Sequence, residues 1–373
     1  MPANSLQLDF HDEFGPHKII RVFEPKLDLY GALVVDNVAA GPSIGGLRMA
    51  QDVTVEECFR LARAMSLKNA AAGLAHGGGK SVLECDPRMP PAQKEDRIRA
   101  FACALASEEG YIFGPDMGTD EQCMAWIRDE IGRAVGLPRE IGGIPLDELG
   151  ATGFGLMHAI EAALPFIGLT LDGARMAVQG FGSVGMHAAR FLGEKGAILV
   201  AASDSDGMIA NAEGLDVAAL IAHKRAGGSV GTFAGGRAGE RDAVIAIECE
   251  IWIPAARPDV VTIDNVDQLQ TRIVAQGANI PLTEAAEKRL HERGVLCLPD
   301  FIANAGGVIC AAMEYHGVGE TAAFAEIADR IAHNTAEMLT RGKADGTTPR
   351  RAALDMATAR LRAAMATRRW SIF

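Results

Sequence analysis

The stretch RMAVQGFGSVGMHAARFLGEKGAILVAASD, residues 175–204, decides the fold of this chain. It predicts a strand, a turn, a helix and a second strand, with Gly180, Gly182 and Gly185 in Gly-x-Gly-x-x-Gly spacing at the turn. Gly180 would permit the tight turn, Gly182 would let the backbone approach a pyrophosphate, and Gly185 would let the helix pack closely on the strand. Because the start of such a helix offers free N–H groups to phosphates, the segment predicts a Rossmann-type dinucleotide site.

Asp204 ends the second strand of this unit. A carboxylate at that place is expected to accept hydrogen bonds from the adenine ribose hydroxyls and to repel a 2′-phosphate, which favours NAD as the cofactor and leaves NADP as the alternative. The segment from Ser203 to Gly207 is also a good turn sequence, so an ordinary turn aspartate is the competing interpretation.

Strand and helix patterns alternate regularly through the second half of the chain. Such alternation predicts an α/β fold with a doubly wound parallel sheet. The glycine-rich segment 227–239 is expected to be a surface loop. The expected strands lie near 175–179, 198–203, 243–254, 272–276 and 295–298, and the expected helices near 154–164, 184–195, 215–225 and 283–293.

The first 145 residues have a less regular pattern. Residues 18–38 alternate and predict paired strands, whereas residues 40–48 are rich in Gly, Pro and Ser and predict a loop. Thr54, with Glu57 three residues later, predicts a capping box at the start of a helix, which the glycines 77–79 break completely. Further expected elements are a strand at 81–84, a helix at 91–109 and a strand at 111–113.

The predicted domain boundary is the glycine-rich segment 142–155. We expect an N-terminal α/β substrate domain at 1–148 and a dinucleotide-binding domain at 149–329, separated by a cleft. The helical, alanine-rich end of the chain, about 330–373, is expected to complete the first domain.

The composition excludes several classes of protein. The chain has 373 residues and a formal net charge of −12, which argues against a nucleic-acid or membrane surface. The seven cysteines form no Cys-x-x-Cys pair, so neither a metal site nor a disulfide framework is expected. No long apolar run or signal core is present, which favours a cytoplasmic protein. Several of the C-terminal arginines fit a solvated helix face, which is favoured over a phosphate-binding surface; the cluster is Arg350, Arg351, Arg360, Arg362, Arg368 and Arg369.

Two lysines and one aspartate are candidate reactive groups. Lys68 lies near a helix end, Lys80 follows three glycines, and Asp116 follows a predicted strand. A lysine walled by Gly and Ala is expected to be partly desolvated, and a desolvated amine can stay neutral near pH 7 and act as a base. The competing interpretations are two ordinary solvated lysines and a turn aspartate after Pro115.

Eight ordered motifs give the chain a resemblance to the glutamate, leucine, phenylalanine and valine dehydrogenase family. The chain length suits the leucine and phenylalanine branch better than the longer glutamate enzymes. The motifs run from residue 42 to residue 308 and are PSIGGLRM (42–49), MSLKNAAAGL with GGGKSV (65–82), GPDMGT (114–119), ATGFG (151–155), GFGSVG (180–185), IPAA (253–256), QGAN (276–279) and PDFIANAGGV (299–308).

The resemblance implies an NAD(P)-dependent amino-acid dehydrogenase, a homo-oligomer without a metal. Lys80 would activate water as the catalytic base, Asp116 would shuttle protons, and Lys68 would bind the substrate carboxylate. The other implied substrate residues are Ile44, Gly45, Gly46, Asn304, Val308 and Ala311. The implied cofactor residues are Thr152, Gly180, Gly182, Ser183, Val184, Gly185, Asp204, Ala255, Ala256 and Asn279.

The substrate side chain is expected to be apolar. Similar glutamate dehydrogenases carry a lysine where this chain has Ile44 and a serine where it has Ala311. Leaving even a neutral polar group without a partner costs about 2–7 kcal/mol, so a γ-carboxylate is disfavoured. The expected reaction is oxidative deamination of leucine, valine, isoleucine or phenylalanine to a 2-oxo acid and ammonia. The alternatives are a glutamate dehydrogenase with a rebuilt pocket and a non-catalytic dinucleotide sensor.

Two departures from the family pattern bear on the cofactor. The segment that follows Asp204 is closer to the glutamate branch, in which some relatives accept NADP. Arg257 and Pro258 replace the residues expected after the IPAA motif.

Overall fold

The structure, a computed structural model, describes residues 10–368. The chain divides into two compact units. The first contains the described residues up to Pro145, together with Ala311–Glu320 and the chain from Ala357 onward, and the second contains Leu146–Cys310 and Thr321–Met356. This division differs from the predicted one at the C-terminal end, because residues 311–320 group with the first unit and residues 330–356 group with the second.

The first unit is built on a five-stranded mixed sheet. Its strand order is β1-β2-β4-β3-β5, with β2 antiparallel to both its neighbours and β3 parallel to both of its own. Strand β3 therefore lies between β4, which carries Lys80, and β5, which precedes Asp116. The strands are β1 (Lys18–Glu24), β2 (Leu29–Asn37), β3 (Ser43–Ala50), β4 (Gly77–Glu84) and β5 (Tyr111–Pro115).

Helices cover both faces of this sheet. Helix α1 packs on one face, where Cys58 and Ala62 meet Val34 and Val82. Helices α2 and α3 pack on the other face over a larger core that contains Phe101. Thr54 caps α1 as predicted, since its side chain accepts a hydrogen bond from the backbone N–H of Glu57 at 3.0 Å. The helices are α1 (Val55–Ala71), α2 (Pro91–Ala104) and α3 (Glu121–Ile131).

Two glycine-rich segments that predict a loop and a helix-breaking turn are instead central strands. Segment 43–50 is β3, and glycines 77–79 begin β4. A Cβ on Gly45 would lie 1.8 Å from the carbonyl oxygen of Gly79, and one on Gly78 would lie 2.0 Å from the backbone nitrogen of Ser66 in α1. The glycines therefore reflect close approach of β3, β4 and α1 rather than turn geometry.

The second unit is built on a seven-stranded sheet. Its order is β12-β11-β10-β6-β7-β8-β9, and the five strands from β12 to β7 are parallel, as predicted. The antiparallel strands β8 and β9 were not predicted, and β9 lies inside the segment expected to be a loop. The strands are β6 (Arg175–Gln179), β7 (Ile198–Ser203), β8 (Met208–Ala210), β9 (Arg237–Gly239), β10 (Ile251–Pro254), β11 (Ile273–Ala275) and β12 (Leu296–Leu298).

Helices follow most of these strands. The predicted strand 243–254 is wrong in its first half, where a 3₁₀ turn, Arg241–Ala246, buries Val244 and Ile245 instead. The helices of the remaining chain are α4 (Leu146–Leu149), α5 (Ala151–Ala163), α6 (Ser183–Glu194), α7 (Val217–Arg225), α8 (Glu284–Glu292), α9 (Asp300–Ala303), α10 (Gly306–Tyr315), α11 (Glu320–Asp345) and α12 (Pro349–Thr367).

The C-terminal arginines are not a uniformly solvated face. Arg350 is three-quarters buried and bonds both Glu287 and Asp300, at 2.6 and 3.1 Å, so this member of the cluster is not part of a solvated face. Arg369 lies outside the described residues.

Among residues 10–368, no helix is both long enough and apolar enough to span a membrane.

Candidate functional site

A lysine–aspartate pair lies at the centre of the first unit. The side chain of Lys80, in the middle of β4, is only 7% exposed, and its Nζ lies 2.8 Å from Oδ2 of Asp116, which follows β5. Strand β3 runs between them and presents Gly46, where a Cβ would lie 3.1 Å from Lys80 Nζ and 2.7 Å from Asp116 Cβ. The parallel register of β3 with its neighbours thus brings the two predicted reactive groups together, and glycine at 46 leaves room for them.

Arg48, which the sequence did not single out, completes this charged group. Its Nε donates to Asp116 Oδ2 at 2.9 Å and its Nη1 donates to Glu57 at 2.6 Å. Burial alone would raise the pKa of Asp116, but the charges and hydrogen bonds of Lys80 and Arg48 outweigh it and lower that pKa below its usual value. The aspartate is therefore held as a carboxylate.

The other predicted residues of the first unit lie on β3, α1 and α10. Gly45 and the almost fully buried Ile44 lie in β3, and Lys68 is half-buried in the last turn of α1. Asn69, the residue after Lys68, donates its side-chain amide to the carbonyl of Gly77 at 2.7 Å and so fixes the end of α1 against β4. Ala311, in α10, is 7% exposed and belongs to the same unit.

Tyr111 is a further residue that the sequence did not reveal. Its hydroxyl donates to the carbonyl oxygen of Gly45 at 2.7 Å and lies 3.1 Å from the hydroxyl of Ser81, the residue after Lys80. Complete burial raises the pKa of Tyr111 well above its ordinary value, so the phenol remains a donor. It ties β5 to β3 and β4 beside the reactive pair.

The second unit carries the predicted phosphate-binding turn. Gly180 has φ +94°, and a Cβ there would lie 2.7 Å from Ala256. A Cβ on Gly185 would lie 2.1 Å from the Gly180 carbonyl, whereas Gly182 faces open space. The turn lines a cavity of about 520 Å³ at the carboxyl ends of β6, β7 and β10, and Ala255 and Ala256 line this dinucleotide cavity too. This is the edge of a doubly wound sheet where dinucleotides bind, and the residues fit such a ligand.

Asp204 lines this cavity and is engaged by groups of its own chain, so its contact with the adenine ribose stays a prediction. Its carboxylate is 7% exposed, pairs with Lys224 at 2.7 Å, and accepts the backbone N–H groups of Val230 and Asp206 at 2.9 and 3.0 Å. Burial alone would raise the pKa of Asp204, but the bonds from Lys224 and from these N–H groups outweigh burial and lower that pKa. The acceptor capacity expected for the ribose hydroxyls is used within the chain, as in the competing turn interpretation.

Of the remaining predicted residues of the second unit, four lie near the start of α10, and they are Thr152, Asn279, Asn304 and Val308. Asn304 donates to Asn279 Oδ1 at 3.0 Å, while its own Oδ1 is buried without a partner among the described residues. The hydroxyl of Thr152 would lie 3.2 Å from a Cβ on Gly307. These polar groups offer a bound ligand both a donor and an acceptor. Ser183 and Val184 begin α6, and Val308 lies in the first turn of α10.

A Rossmann-type unit with an open phosphate-binding turn, joined in one chain to a unit with a buried lysine–aspartate pair, defines the class of nicotinamide-dependent oxidoreductases. Comparison with known proteins gives the family. Residues 142–369 match Glutamate/Leucine/Phenylalanine/Valine dehydrogenase, and residues 28–133 match the dimerisation domain of the Glu/Leu/Phe/Val dehydrogenases. The chain belongs to this family and is an NAD(P)-dependent amino-acid dehydrogenase.

Similar proteins include two glutamate dehydrogenases. The chain is 39% identical to a glutamate dehydrogenase of Aeropyrum pernix, covering 75% of this chain and 70% of that protein. It is 37% identical to an NADP(+)-dependent glutamate dehydrogenase of Pyrobaculum calidifontis, covering 80% and 77%. From its sequence alone, the chain is predicted to be most similar to the leucine, phenylalanine and valine dehydrogenases. These two relatives, which are glutamate dehydrogenases, do not support that prediction.

Solved structures show the same fold. The hetero-hexameric glutamate dehydrogenase of Thermus thermophilus, in a leucine-bound form, has a TM-score of 0.84 at 29% identity, covering 95% of this chain and 90% of that one. The L-tryptophan dehydrogenase of Nostoc punctiforme has a TM-score of 0.74 at 24% identity, covering 94% and 97%.

Proposed function

We propose that this chain catalyses the reversible oxidative deamination of an apolar L-amino acid to its 2-oxo acid and ammonia, with Lys80 as the base and Asp116 as the proton shuttle. The observation that carries the proposal is the 2.8 Å contact between the buried amine of Lys80 and the partly buried carboxylate of Asp116. A lysine and a carboxylate within hydrogen-bond reach can exchange a proton, which is what the addition of water and the loss of ammonia require.

Each residue has a proposed task. Lys68 holds the substrate carboxylate, with the backbone of Gly45 and Gly46 beside it. The bound dinucleotide supplies the hydride acceptor for the substrate Cα. Lys80 takes a proton from the attacking water, and the carboxylate of Asp116 receives it and returns it to the departing amine. Fixed placement of these groups can contribute up to about 7–11 kcal/mol to lowering the barrier.

The apolar preference rests on the side-chain pocket. Ile44 is 3% exposed and Ala311 is 7% exposed, both in the first unit. A γ-carboxylate placed against these two side chains would lose its water without gaining a cation, at a cost of about 2–7 kcal/mol even for a neutral polar group.

A second candidate is glutamate dehydrogenase activity. It is favoured by the two similar proteins, since both are glutamate dehydrogenases at 37–39% identity. A glutamate enzyme would have to bind the γ-carboxylate with a cation other than one at position 44. The two candidates share the reaction and the reactive pair and differ in the substrate side chain.

The charges that line the dinucleotide cavity of the second unit support use of NADP as well as NAD. It is lined by the cations Lys224, Arg225, Arg241 and Arg257 and by the anions Asp204 and Asp242. Since Lys224 neutralises Asp204, the repulsion of a 2′-phosphate that the sequence predicted is reduced. The net positive lining favours a phosphate, so we propose that both cofactors are accepted.

The experiment that tests the proposed function is a spectrophotometric screen of NAD and NADP reduction with each L-amino acid. We expect turnover with leucine, valine, isoleucine or phenylalanine above that with glutamate. Higher turnover with glutamate would replace the first candidate by the second, and no turnover with any amino acid would contradict both.

We also propose that the chain forms a homo-oligomer. The match to the dimerisation domain supports this proposal, and size-exclusion chromatography with light scattering tests it.

A further inference from the structure

Arg48 bridges two carboxylates that come from different elements of the first unit. Its Nε contacts Asp116, after β5, and its Nη1 contacts Glu57, in the first turn of α1. The Arg48 side chain is 20% exposed. In a capping box, Glu57 would bond back to the backbone of Thr54. Its Oε1 accepts from Arg48 instead, so this carboxylate orients the guanidinium.

Both cations contact the same oxygen of the aspartate. Lys80 Nζ and Arg48 Nε lie 2.8 and 2.9 Å from Asp116 Oδ2. The backbone of Asp116 is also fixed, because its N–H donates to Thr119 Oγ1 at 3.0 Å and that hydroxyl donates to the carbonyl of Leu47 at 2.8 Å. With Oδ2 engaged twice, Oδ1 is the oxygen left to face a substrate amino group.

We propose that Arg48, oriented by Glu57, is a positioning residue that holds Asp116 in register with Lys80 and turns Oδ1 toward the substrate amine. The inference rests on the function proposed above. An arginine suits this task because its planar fork reaches two carboxylates at once, which a lysine ammonium on a flexible stem does not. The positive charge also keeps Asp116 ionised, since an adjacent cation favours the carboxylate over the acid.

The test compares the pH dependence of kcat/KM in Arg48→Met, Arg48→Lys and the parent enzyme, with the amino acid and cofactor that the parent turns over best. For Arg48→Met we expect kcat to fall about 100-fold, the loss that misplacement by about 1 Å can cause. The pH below which kcat/KM declines should rise by about one unit, because removing a neighbouring cation makes the Lys80–Asp116 pair easier to protonate. The KM for the amino acid should change little.

Arg48→Lys keeps the charge but loses the fork. We expect its kcat to fall while its acid limb stays at the parental pH. Arg99→Met is the matched control, because Arg99 lies in the same unit and pairs with Glu95, Asp129 and Glu130 away from the reactive pair. It should keep the parental kcat and pH profile.

A parental acid limb in a folded Arg48→Met enzyme, or a parental kcat in Arg48→Lys, would overturn the inference. If Arg48→Met does not fold, as judged by its thermal midpoint, Arg48→Lys decides alone. An inactive parent enzyme would instead count against the proposed function, so the two failures are distinguishable.

Discussion

Lys80 is buried because glycines allow the surrounding backbone to close around it. Strand β3 approaches β4 through Gly45, whose Cβ would lie 1.8 Å from the carbonyl oxygen of Gly79, and α1 approaches β4 through Gly78. A lysine is rarely buried without a partner, and here the partner is Asp116. The sequence indicates both reactive groups, but it reveals neither the contact between them nor the role of Arg48. That contact depends on the register of β3 between two parallel neighbours, which local sequence does not specify.

Substrate preference should follow the side-chain pocket. For Ile44→Lys combined with Ala311→Ser, we expect the ratio of kcat/KM for glutamate to that for leucine to rise by about 10-fold or more, because a charged hydrogen bond contributes about 1.5–3 kcal/mol. Ile44→Met with Ala311→Ser is the control of similar size without charge. An equal ratio in the lysine variant and this control would show that the pocket lies elsewhere.

Cofactor preference should depend on Arg257. Replacing Arg257 by alanine removes one cation from the lining of the dinucleotide cavity. We expect kcat/KM for NADP to fall by about 10-fold, the equivalent of about 1.4 kcal/mol, with a smaller effect on NAD, which has no 2′-phosphate. Arg293→Ala, in the same unit but outside that cavity, is the control. An equal loss with both cofactors would contradict a contact to the 2′-phosphate.

At the scale of elements, the glycines of β4 set the distance between strand and helix. A Cβ on Gly78 would lie 2.0 Å from the Ser66 backbone nitrogen, whereas one on Gly114, in β5, would meet its nearest neighbour at 3.7 Å. We expect Gly78→Ala to lower the free energy of unfolding by about 1–3 kcal/mol or more, because rigid backbone has to move. Gly114→Ala should change it by less.

Urea unfolding of the two variants measures this difference. Similar midpoints for Gly78→Ala and Gly114→Ala would contradict the importance of the close approach of α1 and β4.

The close approach of these backbones also explains why segments 43–50 and 77–79 are mispredicted. Glycine signals a turn or a close backbone contact equally well in a sequence, and only the packing distinguishes the two.

The elements of the second unit are easier to predict. The strands Arg175–Gln179 and Ile198–Ser203 agree with their expected bounds, because a buried parallel strand reads as a short run of β-branched and small apolar residues between glycines. Strands of three residues, such as Met208–Ala210, carry too few residues for an alternating pattern. The ion pair of Asp204 with Lys224 cannot be predicted from local sequence either, since the two residues lie twenty positions apart in the chain.

At the scale of the whole molecule, stability should depend on a histidine contact. His76 is buried, and its Nδ1 donates to the Pro42 carbonyl at 2.9 Å because a carbonyl can only accept. Its Nε2 lies 2.9 Å from Nε2 of His316, which must then donate, and the ring of Tyr315 packs edge-on at 5.7 Å. The first unit thus joins residues 240 positions apart in the chain.

Burial, followed by the proximity of His316, lowers the pKa of His76 below 6.5. The unfolded chain therefore binds a proton near pH 6.5 that the folded chain does not bind until lower pH, so stability falls as the pH drops below about 6.5. We expect the thermal midpoint of the parent to fall more steeply from pH 7 to pH 5 than that of His76→Asn. Parallel pH dependences would contradict this assignment.

The measurement that tests the account most directly is the kcat of Lys80→Met, an uncharged replacement of similar length. With the preferred amino acid, we expect a loss of at least about 1,000-fold, within the range of about 10²–10⁴ that a positioned general base contributes. Binding of the dinucleotide, measured by fluorescence, should match that of the parent, because the cofactor residues lie in the second unit. A folded Lys80→Met enzyme that keeps parental turnover would contradict the central claim.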